Sequence, residues 1–355
     1  MNNLLKIIFV LCISVVLSMM TGCKSNPSTA ANTNTAADST GSKVKSDQAY
    51  LMVETEMDKI LNGRYTTPSA FDQFKYSSAL GLYNEAIALN PNNSDARFGA
   101  AITEMLAAYS DPEINKLIKD LDSAQTNGPS KSIVLQNLVS ITPLPNTTAK
   151  MSISAIPAAS GIVFTVQTAL KDPPLISRVQ QVLRDNFLPM VQAAINHLSQ
   201  IDGNESFRFT ITGKMQGDQH LKSVTIYPTE VALLHAAMNL LKFNIQTLLI
   251  YKFELPDYSQ TSLVNALNQD NTSFFVLHTD GKQRAADAKA TFGLVITKMR
   301  KAIDYLERIS GAKSDAVIKL GVNGIKQSDL DTVKTYLTKV ETSLSSNYNI
   351  ELKNA

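Results

Sequence analysis

Apolar positions recur at helical spacing along most of this chain, and that spacing sets the expected architecture. Tyr50, Val53, Met57, Ile60 and Leu61 fall on one face of a helix that begins near Ser46-Asp47 and stops at Asn62-Gly63. Pro68-Ser69 opens a second helix to Leu89, closed by Asn90-Pro91-Asn92-Asn93. A third runs from Ser94-Asp95 to Ala108 or Tyr109, and a fourth from Asp111-Pro112 to about Ala124. Ser130-Lys131-Ser132 suits the cap of a short helix through Ile141, and Pro143, Pro145 and Pro157 then mark a boundary over 142–160. The apolar run 161–170 is too short to assign by period and is read as helix. Asp172-Pro173-Pro174 is a helix start, an acid followed by proline where no amide donor is needed. Its apolar face runs through Ile176, Val179, Leu183, Phe187, Val191, Ala194, Leu198 and Ile201, with Pro189 expected to kink or split it. Asp202-Gly203-Asn204 ends it as a turn, without the further oxygen ligands of a calcium loop.

The pattern then changes period. Phe207, Phe209 and Ile211 alternate with Arg208, Thr210 and Thr212, and Val224 and Ile226 alternate with Ser223, Thr225 and Tyr227. The glycines between them predict a β-hairpin whose apolar face lies on helices, because an isolated hairpin is marginal in water. A long helix follows, about Thr229 to Lys252, apolar around most of its girth and therefore central. Its strongly polar positions His235, Asn239, Lys242 and Gln246 fall within roughly a 60° stripe at ~100° per residue. That stripe fits a narrow solvent-facing seam first and the lining of a polar cleft second. Pro256, a short helix Thr261 to Leu267 and an apolar piece Phe274 to Leu277 make a broken connection. Helix resumes from about Gln283 to Ile309, with Ala288, Phe292, Val295, Met299, Ile303 and Leu306 as its buried face. Ser328 with Asp331 forms a capping box for the last helix. Leu330, Val333, Leu337, Val340 and Leu344 follow heptad spacing there, for packing on residues 229–309 or on a partner helix. The fold class expected is mainly α, a multi-helix body with one small antiparallel β-hairpin at about 207–227.

The first residues follow a different logic. A weakly basic start with Lys6 precedes an almost unbroken apolar run from Ile7 to Met20. The run is too short for a spanning helix, which needs ~20 apolar residues, and suits a signal peptide. It ends in Met20-Thr21-Gly22-Cys23, which resembles the lipobox of bacterial lipoproteins, with Met20 in place of the usual leucine. The resemblance implies a lipidated Cys23, cleavage before it and attachment to the membrane through two or three acyl chains. One chain anchors only marginally, at ~0.8 kcal/mol per buried CH₂. Lys24 after the cysteine leans toward the outer membrane in such families. Cys12 and Cys23 are the two cysteines of the chain, and Cys12 lies in the part removed, so Cys23 is an attachment point rather than half of a disulfide.

Ala79, Tyr83, Ala86 and Pro91 resemble the second helix and terminal proline of a tetratricopeptide repeat. Ala96 and Ala101 fit the small positions of the next repeat's first helix. Thr67 and Asp120 depart from the pattern, so at most one complete unit is expected, as a helical hairpin. The organisation expected is a signal peptide over 1–22, a flexible tether over 23–46 and a repeat-like helical region over 47–141. A linker over 142–160, a helical domain with the hairpin over 161–345 and a tail over 346–355 complete it.

Composition narrows the function. The net charge of +2 and the lack of interleaved basic and aromatic residues argue against nucleic acid. No metalloprotease, nucleophile-elbow, Walker or dinucleotide motif is present. His197, His220, His235 and His278 have no metal-ligand spacing. No catalytic residue and no cofactor is therefore expected. The reading is a non-enzymatic cell-envelope lipoprotein, a helical scaffold or binding module for a partner protein at the outer membrane. The alternative is a periplasmic small-molecule carrier, the role that some tetratricopeptide lipoproteins serve in solute uptake, with the stripe facing an apolar pocket. An enzyme with an unrecognised site is a third reading.

Overall fold

The computed structural model describes residues 38–61, 76–125, 176–216, 218–253, 274–321 and 325–345. The expected signal segment with Cys23, the helix starts at Pro68 and Asp172, the helices near Ile133 and Thr261, the linker 142–160, the apolar run 161–170 and the tail 346–355 lie outside them. The described chain is mainly helical, with two small antiparallel two-stranded sheets.

Three helices, α1 (Ser39–Leu61), α2 (Tyr76–Leu89) and α3 (Ser94–Ala107), pack on one another at the N-terminal end of the described chain. Helix α1 starts at Ser39, well inside the stretch 23–46 expected to be a tether. The reason is a long-range bond that composition does not reveal. The Ser42 hydroxyl donates to the Ala86 carbonyl at 2.7 Å and accepts from Asn93 Nδ2 at 2.9 Å. Asp38 accepts from the Gly41 amide at 2.9 Å and satisfies a donor of the first turn. Asn93 also caps α3, its Oδ1 accepting from the Ala96 amide at 2.9 Å.

Ala79, Tyr83 and Ala86 on α2, and Ala96 and Ala101 on α3, are all buried. Gly99 on α3 faces Tyr83 so closely that a Cβ would run into the phenol ring. Gly81 on α2 faces open space. Gly99→Val is therefore expected to destabilise the protein by about 1–3 kcal/mol through overpacking. Gly81→Ala should leave stability unchanged or raise it by up to about 1 kcal/mol through helix propensity. Urea denaturation of both variants reads the contrast.

Helix α4 (Pro112–Gln125) starts where the sequence places it, with Asp111 Oδ1 accepting from the Glu113 and Ile114 amides at 2.9 and 2.8 Å. The segment containing Pro189 splits, as expected, into α5 (Ile176–Val182) and α6 (Leu188–Ile201) around a π-helical turn, Leu183–Phe187. Proline lacks the amide of a regular helical bond and its ring crowds the carbonyl four residues back. The wider turn relieves that crowding, and the Leu188 amide reaches the Leu183 carbonyl instead.

The first sheet pairs β1 (Phe209–Ile211) with β2 (Val224–Ile226), Phe209 opposite Ile226. Its apolar face lies on helices, as required of an isolated hairpin. Phe209 packs on Phe98 of α3 and Tyr50 of α1, with ring centroids 4.8 and 5.5 Å apart. Phe207 packs on Phe98 at 5.4 Å.

Helix α7 (Pro228–Leu248) packs on α6 on one side and on α8 (Gly281–Tyr305) on the other. Thr229 meets Ser310 at 2.6 Å between hydroxyl oxygens, and Phe243 meets Phe292 at 4.9 Å between centroids, so α7 and α8 run antiparallel. Helix α7 ends before Lys252, because Gln180 Nε2 on α5 donates to the Leu248 and Tyr251 carbonyls at 2.7 Å each. Freed from the helix, β3 (Tyr251–Phe253) pairs with β4 (Phe274–Leu277), the apolar piece of the sequence. This second two-stranded sheet joins the single hairpin expected.

The chain leaves α8 through a second π-helical turn, Leu306–Ser310, and returns over the start of α7. There the buried carboxylate of Glu230 accepts from the Tyr227 amide at 2.9 Å and from the Ile318 amide at 3.0 Å. Tyr227 donates its hydroxyl to Asp315 Oδ1 at 2.7 Å, and the Thr225 amide donates to the Asp315 carbonyl at 3.2 Å. Helix α9 (Gln327–Ser345) then docks through Leu330, which packs with Ile303 and Leu306, while Val333 and Leu337 are part-buried beside them. The expected capping box does not form. Gln327 already opens the helix, so Ser328 lies inside the first turn, and Asp331 Oδ1 accepts instead from Gln327 Nε2 at 3.2 Å.

Candidate functional site

The polar stripe of α7 does not face solvent. His235 is 3% exposed and Asn239 1%, while Lys242 and Gln246 are part-buried. The solvent-facing seam is overturned because α7 has neighbours on two sides, and those neighbours bring their own polar groups to the stripe.

Asp202, at the end of α6, is the centre of those groups. Lys298 Nζ, from α8, contacts Asp202 Oδ2, and Lys301 Nζ reaches Oδ1 at 2.8 Å. His235 Nδ1 lies 3.9 Å from the same Oδ2. Asp202 terminates α6, where a helix carries partial negative charge, so two ammonium groups are favourable there. Burial pushes the Asp202 carboxyl up, but the hydrogen bonds from Lys298 and Lys301 outweigh it and hold it below the usual range. His235 moves the other way. Burial, and then the charge of Lys298, depress its imidazole to about 4. His235 is thus neutral near neutral pH despite the carboxylate beside it.

Further along α7, Asn239 Nδ2 donates to the His235 carbonyl at 2.8 Å, which fixes the amide with Oδ1 pointing away from that carbonyl. Lys242 Nζ donates to Gln192 Oε1 on α6 at 2.7 Å, and Gln192 Nε2 donates to Asn196 Oδ1 at 2.8 Å. Three buried atoms of the stripe have no hydrogen-bond partner among the described residues: His235 Nδ1, Asn239 Oδ1 and Gln246 Oε1. Native proteins pair nearly all such atoms, and each unpaired one costs ~1–3 kcal/mol. Chemically the arrangement offers acceptors and ammonium groups, and Asp202, held by two lysines, is no free base.

All four stripe residues expected from the sequence thus lie along one side of α7, and the structure adds Asp202, Lys298 and Lys301. Asp202 reads as a turn residue in sequence, and the lysines sit on another helix. The sole available hint was two lysines at i, i+3 on a helix expected to be buried. The remaining histidines do not join the site. His220 is exposed, and His197 and His278 are part-buried and depressed chiefly by their own burial. No group of metal-ligating side chains is found among the described residues. No helix among them is long and apolar enough to cross a membrane. Comparison with protein-family models, with curated proteins and with solved structures finds no match.

Proposed function

We propose that this chain is a lipid-anchored, non-enzymatic binding protein of the bacterial envelope, held at the outer membrane through Cys23. The observation that carries the reading is the order of the sequence: an apolar run, then Met20-Thr21-Gly22-Cys23, then a polar spacer, then a helical body from Ser39. The body's task in this reading is to hold a partner protein on the first helices. Val44 and Leu51 of α1 are 50% and 58% exposed, and they lie seven positions apart on one helical face.

Metabolic labelling tests the anchor. Palmitate should enter the wild-type chain and not Cys23→Ser, and the variant should leave the membrane fraction. Equal labelling of both would remove the anchor and the location together. Cross-linking in cells tests the partner. Val44→Asp with Leu51→Asp should abolish a specific cross-linked species without changing the thermal midpoint.

A second reading, a solute carrier, is favoured by the unpaired polar atoms of α7. It makes the buried stripe, rather than the outer face of α1, the working surface.

A further inference from the structure

Away from the seam between α6, α7 and α8, a second buried group stands without a counterion. Glu230, in the first turn of α7, is 3% exposed. Its carboxylate accepts from the Tyr227 amide at its own helix start and from the Ile318 amide on the returning chain. No ion pair reaches it among the described residues. The charged and titratable groups around it are engaged elsewhere. Tyr227 donates its hydroxyl to Asp315, and the Arg208 guanidinium lies 4.3 Å from the centroid of the Tyr227 ring. Lys319 donates to the Ser314 carbonyl. At the end of α8, Arg308 pairs with Asp304 and Glu205, Glu307 pairs with Lys334, and Ser310 meets Thr229. An ionised carboxylate buried with no cation is costly.

The chain that covers Glu230 is a loop closed at its base. The Leu320 amide donates to the Gly311 carbonyl at 3.0 Å, so residues 311–320 leave and return at one point. Glycines bracket it. A Cβ on Gly311 would run into the Leu306 carbonyl, and Gly321 has a φ of 117°, which side chains disfavour. Beyond its base the loop holds the body by few contacts. Ile318 reaches Glu230, and Asp315 reaches the Tyr227 hydroxyl and the Thr225 amide. Ala316 and Val317 are buried, and Ile318 is part-buried. Ala316 bridges Thr225, so the loop lies along the edge of β2 that β1 leaves free. Segments with so few contacts open at a smaller free energy than the whole fold.

We propose that residues 312–319 form a flap that stays shut over the start of α7 while Glu230 holds a proton and opens as Glu230 ionises, its base at Gly311 and Leu320 intact, so that the outer edge of β2 is bared. The two amide bonds favour the ionised form, but burial outweighs them and pushes the carboxyl up to about 7 from 4.5. The shut state therefore holds a proton that the open state, with Glu230 in water, releases. The advantage of the shut state is fully present below 4.5 and is lost as pH rises through 7. From about pH 5 to pH 8 the opening constant should rise by at most roughly 70-fold.

Hydrogen exchange of the full chain in mild detergent, followed amide by amide by NMR and corrected for the intrinsic rate, tests this. The Ile318 and Thr225 amides should exchange through an opening that low urea does not accelerate, because little surface is exposed. That opening should grow with pH by up to the factor given, while the Leu320 amide at the base stays protected. In Glu230→Gln, which cannot titrate, it should become independent of pH. Tyr227→Phe cuts the tether to Asp315 and keeps Glu230. It should open the flap more at every pH and retain the rise, which keeps the test decisive if the glutamine variant does not fold. A flap that exchanges with the urea dependence of the Leu249 amide, at the end of α7, would leave only on global unfolding, and the proposal would fall. A rise that persists in Glu230→Gln, or one absent from both the wild type and Tyr227→Phe, would overturn it equally.

Discussion

His235→Leu and Glu230→Gln are expected to change the pH dependence of stability in opposite directions. Glu230 is 3% exposed, and burial pushes its carboxyl up to about 7 from 4.5, against the hydrogen bonds from the Ile318 and Tyr227 amides. Between those two values the folded state holds a proton that the unfolded state releases. The contribution of Glu230 is therefore fully present below 4.5 and is lost as pH rises through 7. His235 is the mirror case. Its folded value is about 4 against 6.5, so the unfolded state takes the proton first, and stability is lost as pH falls from 6.5 through 4. Each gap corresponds to at most roughly 3.5 kcal/mol, at about 1.4 kcal/mol per unit. Subtracted from the wild-type profile, the His235→Leu curve should lose a slope that rises with pH. The Glu230→Gln curve should lose one that falls with pH, displaced by the cost of one weakened amide contact. Urea denaturation across this range checks both. Parallel curves for wild type and either variant would mean that the replaced group is as well solvated folded as unfolded.

The reason both groups are perturbed also marks the limit of what the sequence discloses. Glu230 stands in the first turn of α7, where a carboxylate favours the N-terminal dipole. Nothing local says that residues 311–318 return to bury it. His235 and Asn239 read correctly as one stripe, since a helical period fixes which side chains share a face. The period cannot say what stands opposite, and α6 and α8 stand there. The same division runs through the fold. Asn93, Asp111, Pro189 and the alternation around Phe209 carry local signals, and their elements form where those signals place them. The start of α1 depends on Ser42 reaching Ala86, and the end of α7 on Gln180 reaching Leu248. Both are contacts between distant residues, invisible to period and composition alike.

Asp202→Ala should be the most damaging single change in the seam, and the double variant Asp202→Ala/Lys298→Met should recover most of the loss. The Asp202 side chain is 11% exposed and that of Lys298 16%. Removing one member of such a pair strands the other charge, typically at ~3–5 kcal/mol. Lys301 is a third exposed and can turn to water, so its share is small. A loss of about 2–4 kcal/mol is expected for the single variant. Removing Lys298 as well takes away the buried ammonium and leaves a methionine of similar length, which is why most of the loss should return. A double-mutant cycle in urea should then give a coupling of about 2 kcal/mol, and strict additivity would show that the two groups act through solvent instead. The histidine supplies a second readout, because Asp202 raises its value while Lys298 lowers it. In Asp202→Ala the His235 imidazole should titrate lower still, and in the double variant it should rise again, stopping short of a merely buried histidine because Lys301 still lowers it. Following the His235 ring by NMR through the two titrations would separate a charge at Asp202 that sets the state of the seam from one that only fills a turn.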